Sequence, residues 1–241
     1  MNYYVDIHAN LLPGLPAVAG DALTSEQSAE RLAVFRESNI KSAVAAPCYD
    51  PERCSPDEFL RLRDEAVAVL RGTEPPNIVP GAVLHLDYCL AHMRGLKPFV
   101  LGDSGYLLLD LSPEPVTAEF CESLTRLRIV SGLCPIAVDT DRFFDVWSPE
   151  DWYALRQAGV LLQISIDGLL LPEKRKFSLY LLANQYAHFV ATGGRSPAVP
   201  LRFTEAMRVL QRSLPAELYR RVKNNAGMLL SNAEPSVFLS T

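Results

Sequence analysis

Short apolar runs that recur along the chain, with amphipathic stretches between them, constrain the fold more than any other feature. Most of these runs are apolar on both faces, which is typical of parallel strands that are covered by helices. We predict seven strands, at Tyr3–His8, Lys41–Pro47, Ile78–Leu84, Tyr106–Leu111, Cys134–Val138, Val160–Ile166 and Ala187–Thr192. The alternation predicts an α/β fold with a parallel sheet.

Helix-start signals lie between the predicted strands. Ser55 and Ser148 each precede a proline and acidic residues, which is the chemistry of an N-cap and a first helical turn. Thr24 and Gln27 have the spacing of a capping box. We therefore expect one α/β domain over residues 1–241, folded as a distorted barrel of about seven parallel strands with surrounding helices. An open doubly wound sheet is the rival architecture.

Composition and charge exclude several classes of function. The 241 residues carry a formal net charge of -5, and lysine and arginine are scattered without a basic stripe, so we expect no nucleic-acid partner. Neither GxGxxG nor the P-loop pattern is present. No apolar run approaches the ~20 residues that span a bilayer, so no membrane insertion is expected. Five cysteines without CxxC spacing, and no signal-peptide core, predict a reduced cytoplasmic protein.

Few ligand-type residues stand at the predicted strand ends, where a parallel α/β barrel carries its chemistry. His8 and Asp110 are the clear candidates for metal ligands, and Asn10, Cys48 and Asp139 are weaker ones. A cluster of two or three metals needs roughly eight to twelve ligand positions. These five residues are too few to supply the metal ligands of such a hydrolase.

Five segments follow one another in the order of motifs from a known family, at Val5–Gly14 (VDIHANLLPG), Ile78–Gly81 (IVPG), Asp103–Asp110 (DSGYLLLD), Gly159–Ile164 (GVLLQI) and Ala187–Ala191 (AHFVA). The sequence resembles the PHP (polymerase and histidinol phosphatase) superfamily. Within it, the sequence looks like the bacterial protein-tyrosine phosphatases encoded beside capsule and exopolysaccharide tyrosine kinases. The resemblance implies a distorted seven-stranded barrel. It also implies phosphotyrosine hydrolysis at about three divalent metals, often manganese, with an arginine that helps to hold the phosphate.

The departures from this family fall on the residues that carry its chemistry. The second histidine of the family's D-I-H-x-H is Asn10, and the histidine of its T-P-H-Y is Cys48. The glutamate that follows P-G in the family is Val83. The family's A-H-P-E-R corresponds to Ala137–Asp141, and its S-D-A-H corresponds to Thr192–Arg195. An amide cannot replace an imidazole in a manganese or zinc cluster.

Only His8 survives unchanged, and Asp110 is a shortened version of the family's glutamate. His8 is either a former ligand satisfied by a neighbour such as Asn10 or Asp110, or the remnant of a single-metal site. Asp110 could pair with Arg142 or Arg195 in place of a metal, and Arg195 is the preferred partner.

Other residues have plain structural interpretations beside functional ones. Cys48 could ligate a metal as a thiolate, but buried free cysteines usually behave as small apolar residues. The stretch Gly193–Arg195 could cradle a phosphate through backbone N–H groups, and a flexible turn is the simpler interpretation. His85 and His92 are expected at surface helix positions, and His188 is expected in the core.

These observations predict a degenerate phosphatase homologue, inactive or strongly impaired as a hydrolase. We expect a binding or regulatory role in exopolysaccharide or capsule tyrosine-kinase signalling, with the kinase or its tyrosine-rich tail as partner and Arg142 and Arg195 as candidate phosphate-binding residues. No cofactor is expected; if one is held, it is manganese or zinc at reduced stoichiometry. The alternatives are an active metallophosphatase with one or two metals, and a scaffold whose old pocket is filled by Val83 and Val138.

Overall fold

The computed structural model describes residues 3–18, 20–72 and 74–239, so the outermost residues of the predicted domain 1–241 lie outside it. The described residues form a mixed α/β fold in which all paired strands run parallel. The eight strands are β1 (Tyr4–Ala9), β2 (Ile40–Ala45), β3 (Asn77–Pro80), β4 (Val83–His85), β5 (Tyr106–Asp110), β6 (Cys134–Ala137), β7 (Leu161–Ser165) and β8 (Phe189–Ala191).

The strands form two sheets, in the orders β1-β2-β3 and β4-β5-β6-β7-β8. The predicted third strand divides into β3 and β4 around Gly81. A Cβ atom on Gly81 would lie 2.6 Å from the side chain of Val44, so the backbone passes unusually close to β2 at the division. Single parallel bridges pair Cys48, which follows β2, with Val83 of β4, and Ala9 of β1 with Gly193, which follows β8, and so link the two sheets. The parallel α/β prediction is confirmed, and the closed barrel stays a prediction.

Helices connect the strands, and their predicted start signals are confirmed. The Thr24 side chain accepts from Gln27 N–H while the Gln27 side chain accepts from Thr24 N–H, which completes the capping box. Ser55 and Ser148 also cap their helices, each before a proline. The helices are α1 (Ser25–Glu37), α2 (Pro56–Leu70), α3 (Leu86–Ala91), α4 (Ala118–Ser131), α5 (Pro149–Gln157), α6 (Ile166–Leu170), α7 (Pro172–Ala183), α8 (Phe203–Ser213), α9 (Ala216–Leu230) and α10 (Ser236–Leu239). Within the described ranges, no helix is both long and apolar enough to cross a membrane.

The buried apolar side chains fall into two clusters, one large and one small. The smaller one includes Ile7 and Val44 from β1 and β2 of one sheet and Leu108 and Ile136 from β5 and β6 of the other, together with Val83 and Val138. Both valines are fully buried. Two positions near the family's ligand motifs therefore contribute to hydrophobic core packing.

Candidate functional site

Asp110, the last residue of β5, is held by two side chains. Arg142 donates a hydrogen bond from Nη2 to Asp110 Oδ1, and His85 Nδ1 lies 3.2 Å from Oδ2. The Asp110 side chain is 11% exposed, so its negative charge has a cationic partner at a largely buried position. The guanidinium comes from the short 3-10 turn that follows β6. Among the described residues, Arg142 is the cation that forms an ion pair with this carboxylate.

Arg195 pairs with a different acid. Its Nη1 lies 2.8 Å from Oδ1 of Asp167, and its backbone oxygen accepts a hydrogen bond from Asn10 Nδ2 at 3.1 Å. Burial lowers the pKa of Arg195, while the charges of Asp167 and Asp139 raise it. The pairing of Asp110 with Arg195 that the sequence favoured is therefore wrong. Each arginine neutralises an acid, and the partners are set by which strand ends are neighbours.

His8 is fully buried and has a partner that sequence reasoning missed. Its Nδ1 lies 3.1 Å from Gln163 Oε1, an amide oxygen that also accepts the backbone N–H of Asp139 at 2.9 Å. Because an acceptor faces Nδ1, that nitrogen carries the proton and Nε2 presents a lone pair. Nε2 has no hydrogen-bond partner among the described residues. The expected partners of His8, Asn10 and Asp110, were wrong. The sequence feature that could have indicated the true partner is Gln163, a single amide side chain within an apolar strand.

Asp139 extends from the end of β6 towards the end of β8. Its backbone is left-handed, at φ 48°, and its Oδ2 accepts from Gly194 N–H at 3.1 Å. A Cβ atom on Gly193, which has φ 77°, would lie 2.5 Å from Asp139 Oδ1. The carboxylate therefore fills the space from which the family's aspartate would project. Because Gly193 N–H also donates, to His8 O at 2.9 Å, the proposed phosphate cradle of backbone N–H groups is wrong.

Cys48 lies beside His85, with Sγ 3.7 Å from Nε2. The expectation of a surface helix position for His85 was incomplete: its side chain is half-exposed, but it ends β4 and contacts both Cys48 and Asp110. Burial raises the pKa of the Cys48 thiol to about 12, and the charges of Asp110 and Asp50 act in the same direction. A protonated thiol is a poor metal ligand, because the thiolate is the binding form. His188 is buried, as expected.

Asp6 is a fully buried carboxyl group next to the site on β1. Its two oxygens accept the backbone N–H groups of His8, at 3.0 Å, and of Thr192, at 3.1 Å. Burial raises the pKa of Asp6 to about 6, although these hydrogen bonds act in the opposite direction. Asp6 therefore joins β1 to the end of β8, and both of its oxygens have backbone partners.

The donor groups do not fit a cluster of two or three metals. Among the described residues, no group of three or more histidine, cysteine, aspartate or glutamate side chains is placed to hold a metal ion. Asp110 bonds to Arg142, and Asp139 bonds to Gly194 N–H and to Gln163 Nε2. Of this set, His8 Nε2 is the atom without a hydrogen-bond partner among the described residues, and a neutral imidazole nitrogen can bind a metal.

The chain is similar to known proteins over nearly its whole length. The family model described as capsular polysaccharide synthesis, CpsB/CapC, matches residues 4–231. Tyrosine-protein phosphatase YwqE of Bacillus subtilis (strain 168) is 26% identical over 241 residues, which cover 95% of this chain and 92% of that protein.

Two solved structures are similar in fold. One belongs to the study of YwqE from Bacillus subtilis and CpsB from Streptococcus pneumoniae, described as unique metal-dependent tyrosine phosphatases. It matches with a TM-score of 0.78 and 23% identity, over 95% of each chain. The apo N6-methyl-AMP deaminase from Arabidopsis thaliana matches with a TM-score of 0.51 and 12% identity, over 88% of this chain and 73% of that chain. These likenesses concern the fold alone.

Proposed function

Because the chain belongs to the CpsB/CapC family of capsular polysaccharide synthesis, we propose that it is a degenerate tyrosine-phosphatase homologue with a binding or regulatory role. It binds a tyrosine or phosphotyrosine segment of its partner and does not hydrolyse it efficiently. The partner is a bacterial tyrosine kinase or its tyrosine-rich tail, in the cytoplasm. The proposal treats residues 1–241 as one domain.

The observation that carries this proposal is the ion pair between Asp110 and Arg142. A guanidinium placed against the remaining acid supplies the positive charge that a metal would otherwise supply. A divalent ion near the same carboxylate would also be repelled by the charge of Arg142, by about 8 kcal/mol at 4 Å near a protein surface, which is twice the value for two unit charges. Metal binding there would require Arg142 to move away.

The packing near Val83 and Val138 supports the same proposal. Both side chains are fully buried in one hydrophobic cluster, and burying divalent ions next to apolar side chains carries a large desolvation cost. Arg142 is about one-third exposed, so its guanidinium is the candidate group for meeting a phosphate. Arg195 is the second candidate, and its pairing with Asp167 makes it the more restricted of the two.

The test is phosphopeptide binding measured beside turnover. We expect a fluorescent phosphotyrosine peptide to bind with higher affinity than its unphosphorylated form, with no release of phosphate when manganese is added. Arg142→Gln should weaken the binding roughly tenfold, because a charge-assisted hydrogen bond contributes about 1.5–3 kcal/mol. Arg212→Gln, at an exposed position on α8, is the control and should bind as the parent does. Rapid phosphate release, or equal binding by the Arg142 and Arg212 variants, would contradict the proposal.

An active metallophosphatase with one or two metals is the second candidate, and the buried lone pair of His8 Nε2 favours it. It is tested by metal content after manganese and zinc are added and the excess is removed. One or two metals retained per chain and lost in His8→Ala, together with phosphate release from a phosphotyrosine peptide, would establish this candidate and overturn the first. Metal well below one per chain, unchanged in His8→Ala, would exclude it.

A further inference from the structure

Three side chains from three neighbouring strand ends form a chain of contacts. Cys48 Sγ lies 3.7 Å from His85 Nε2, and His85 Nδ1 lies 3.2 Å from Asp110 Oδ2. This is the order of a nucleophile, a base and a carboxylate that orients the base. We propose that Cys48, His85 and Asp110 form a nucleophilic triad whose thiol is acylated by activated acyl compounds, the class of aryl esters and thioesters.

Backbone pairing holds the three residues in place. His85 and Asp110 are direct partners in the parallel ladder between β4 and β5. Cys48 follows β2 and forms a single parallel bridge with Val83, two residues before His85. Main-chain pairing therefore fixes the backbone of all three residues relative to β4, and the His85 side chain spans the distance between the other two.

The hydrogen bonds define the role of each member. The Asp110 carboxylate faces His85 Nδ1, so that nitrogen carries the proton and Nε2 directs its lone pair at the thiol. Arg142 holds the other carboxylate oxygen and restricts the rotation of the group. Asp110 is therefore a positioning residue, and His85 is the group that exchanges the proton.

The buried thiol requires this base. Burial raises the pKa of Cys48 to about 12, so the resting group is the neutral thiol. In the step, the Sγ proton moves to His85 Nε2 while Sγ forms a bond to the acyl carbon. The bond from that carbon to the leaving oxygen or sulfur breaks, and His85 returns the proton to the leaving group. The products are an S-acyl cysteine and an alcohol or thiol, so no oxidant or reductant is needed.

A cavity of about 420 Å³ borders the thiol and the imidazole. Its lining is mixed: Pro16 and Ala17 of the segment before α1 supply apolar surface, and Asp21, Asp50 and Arg53 supply charged groups. A space of this size has room for a short acyl group next to the thiol.

The backbone near the thiol offers little stabilisation to a tetrahedral oxyanion. The N–H groups of Cys48 and Tyr49 already donate to Pro16 O and Val83 O, each at 3.0 Å. An enzyme that turns over rapidly needs such donors to be aimed at the developing charge. We therefore expect one acylation per chain, with slow release, rather than rapid ester hydrolysis.

The test uses p-nitrophenyl acetate on the full chain, with p-nitrophenol release, intact mass and peptide mapping as readouts. The expected result is one equivalent of p-nitrophenol and one acetyl group per chain, on Cys48. Cys54 and Cys121 are less buried and serve as internal controls, because accessibility alone would label them first. His85→Gln, at a half-exposed side chain, should slow acetylation of Cys48 at least tenfold without changing the melting temperature.

Asp110 is tested with a matched pair of variants. Asp110→Glu keeps a carboxylate and should retain more of the acetylation rate than Asp110→Asn, which a purely structural role would not predict. Acetylation of Cys54 or Cys121 ahead of Cys48 would overturn the proposal, and so would an unchanged rate in folded His85→Gln.

Discussion

Restoring one family residue, by Gly193→Asp, should destabilise this protein. Gly193 has φ 77°, and a Cβ atom there would lie 2.5 Å from Asp139 Oδ1, well inside van der Waals contact. The introduced carboxylate would also stand next to the carboxylate of Asp139, in a largely buried site. The change therefore combines a left-handed backbone cost, a steric clash and a like-charge repulsion.

The control variant Gly14→Asp separates the backbone cost from the steric clash and the charge repulsion. Gly14 also has φ 77°, but a Cβ atom there would meet nothing within 4 Å. Its cost should be the backbone term alone, roughly 1–2 kcal/mol. Forcing atoms into a packed site adds about 1–3 kcal/mol, so Gly193→Asp should cost about 2–5 kcal/mol in total. For a domain of this size, an excess of about 1–3 kcal/mol over Gly14→Asp corresponds to a melting temperature lower by roughly 2–12 °C.

Urea denaturation and calorimetry of both variants measure the difference. Adding Asp139→Gly to Gly193→Asp removes the clashing carboxylate, and glycine accepts the φ of 48° at position 139. The double variant should therefore recover at least 1 kcal/mol relative to additive single changes, roughly the lower end of coupling between contacting residues. Equal destabilisation by Gly193→Asp and Gly14→Asp, or additive behaviour in the cycle, would refute the reasoning.

Two further predictions concern the buried histidine and the lost ligands. Burial lowers the pKa of His188 to about 3, and its Nδ1 accepts Leu162 N–H, so its contribution to stability is fully present above pH 6.5. It should be lost by about 1.4 kcal/mol per pH unit as the pH falls from 6.5 towards 3, and urea titrations should show this slope reduced in His188→Gln. Asn10→His alone should not raise phosphatase activity on phosphotyrosine peptides above the parent, because Arg142 still neutralises Asp110. Robust manganese-dependent turnover by that variant would count against the degenerate site.

The strands and helix starts could be predicted because they depend on local chemistry. Two-sided apolar runs indicated parallel strands, and the cap at Thr24 depends only on residues within one helical turn. The division of the third strand could not be foreseen, since it depends on the approach of Gly81 to Val44. A single sequence shows the pattern of residues within one segment, but it does not show which segments contact each other in the fold.

The site was predictable in its residue types and not in its pairs. His8 and Asp110 were recognised at strand ends, but their partners, Gln163 and His85, come from other strands. An arginine was expected against Asp110, and the wrong one was preferred because both follow strand ends and only the sheet order distinguishes them. A polar residue inside an apolar strand, such as Gln163, indicates that a buried hydrogen-bond partner lies nearby.

Contacts connect the positions at which this chain departs from the family's ligand motifs, so under the proposed function single substitutions towards the family's residues should fail. Asp139 occupies the space above Gly193, and Arg142 holds Asp110. An acid introduced at position 193 would meet the carboxylate of Asp139. A histidine introduced at position 10 would leave Arg142 paired with Asp110, where a metal ion would have to bind. Regaining a metal cluster would require Asp139 and Arg142 to be removed together with the return of the missing ligands. Under the proposed function, the physical barrier to metal binding therefore lies in these internal pairs at least as much as in the missing ligand types.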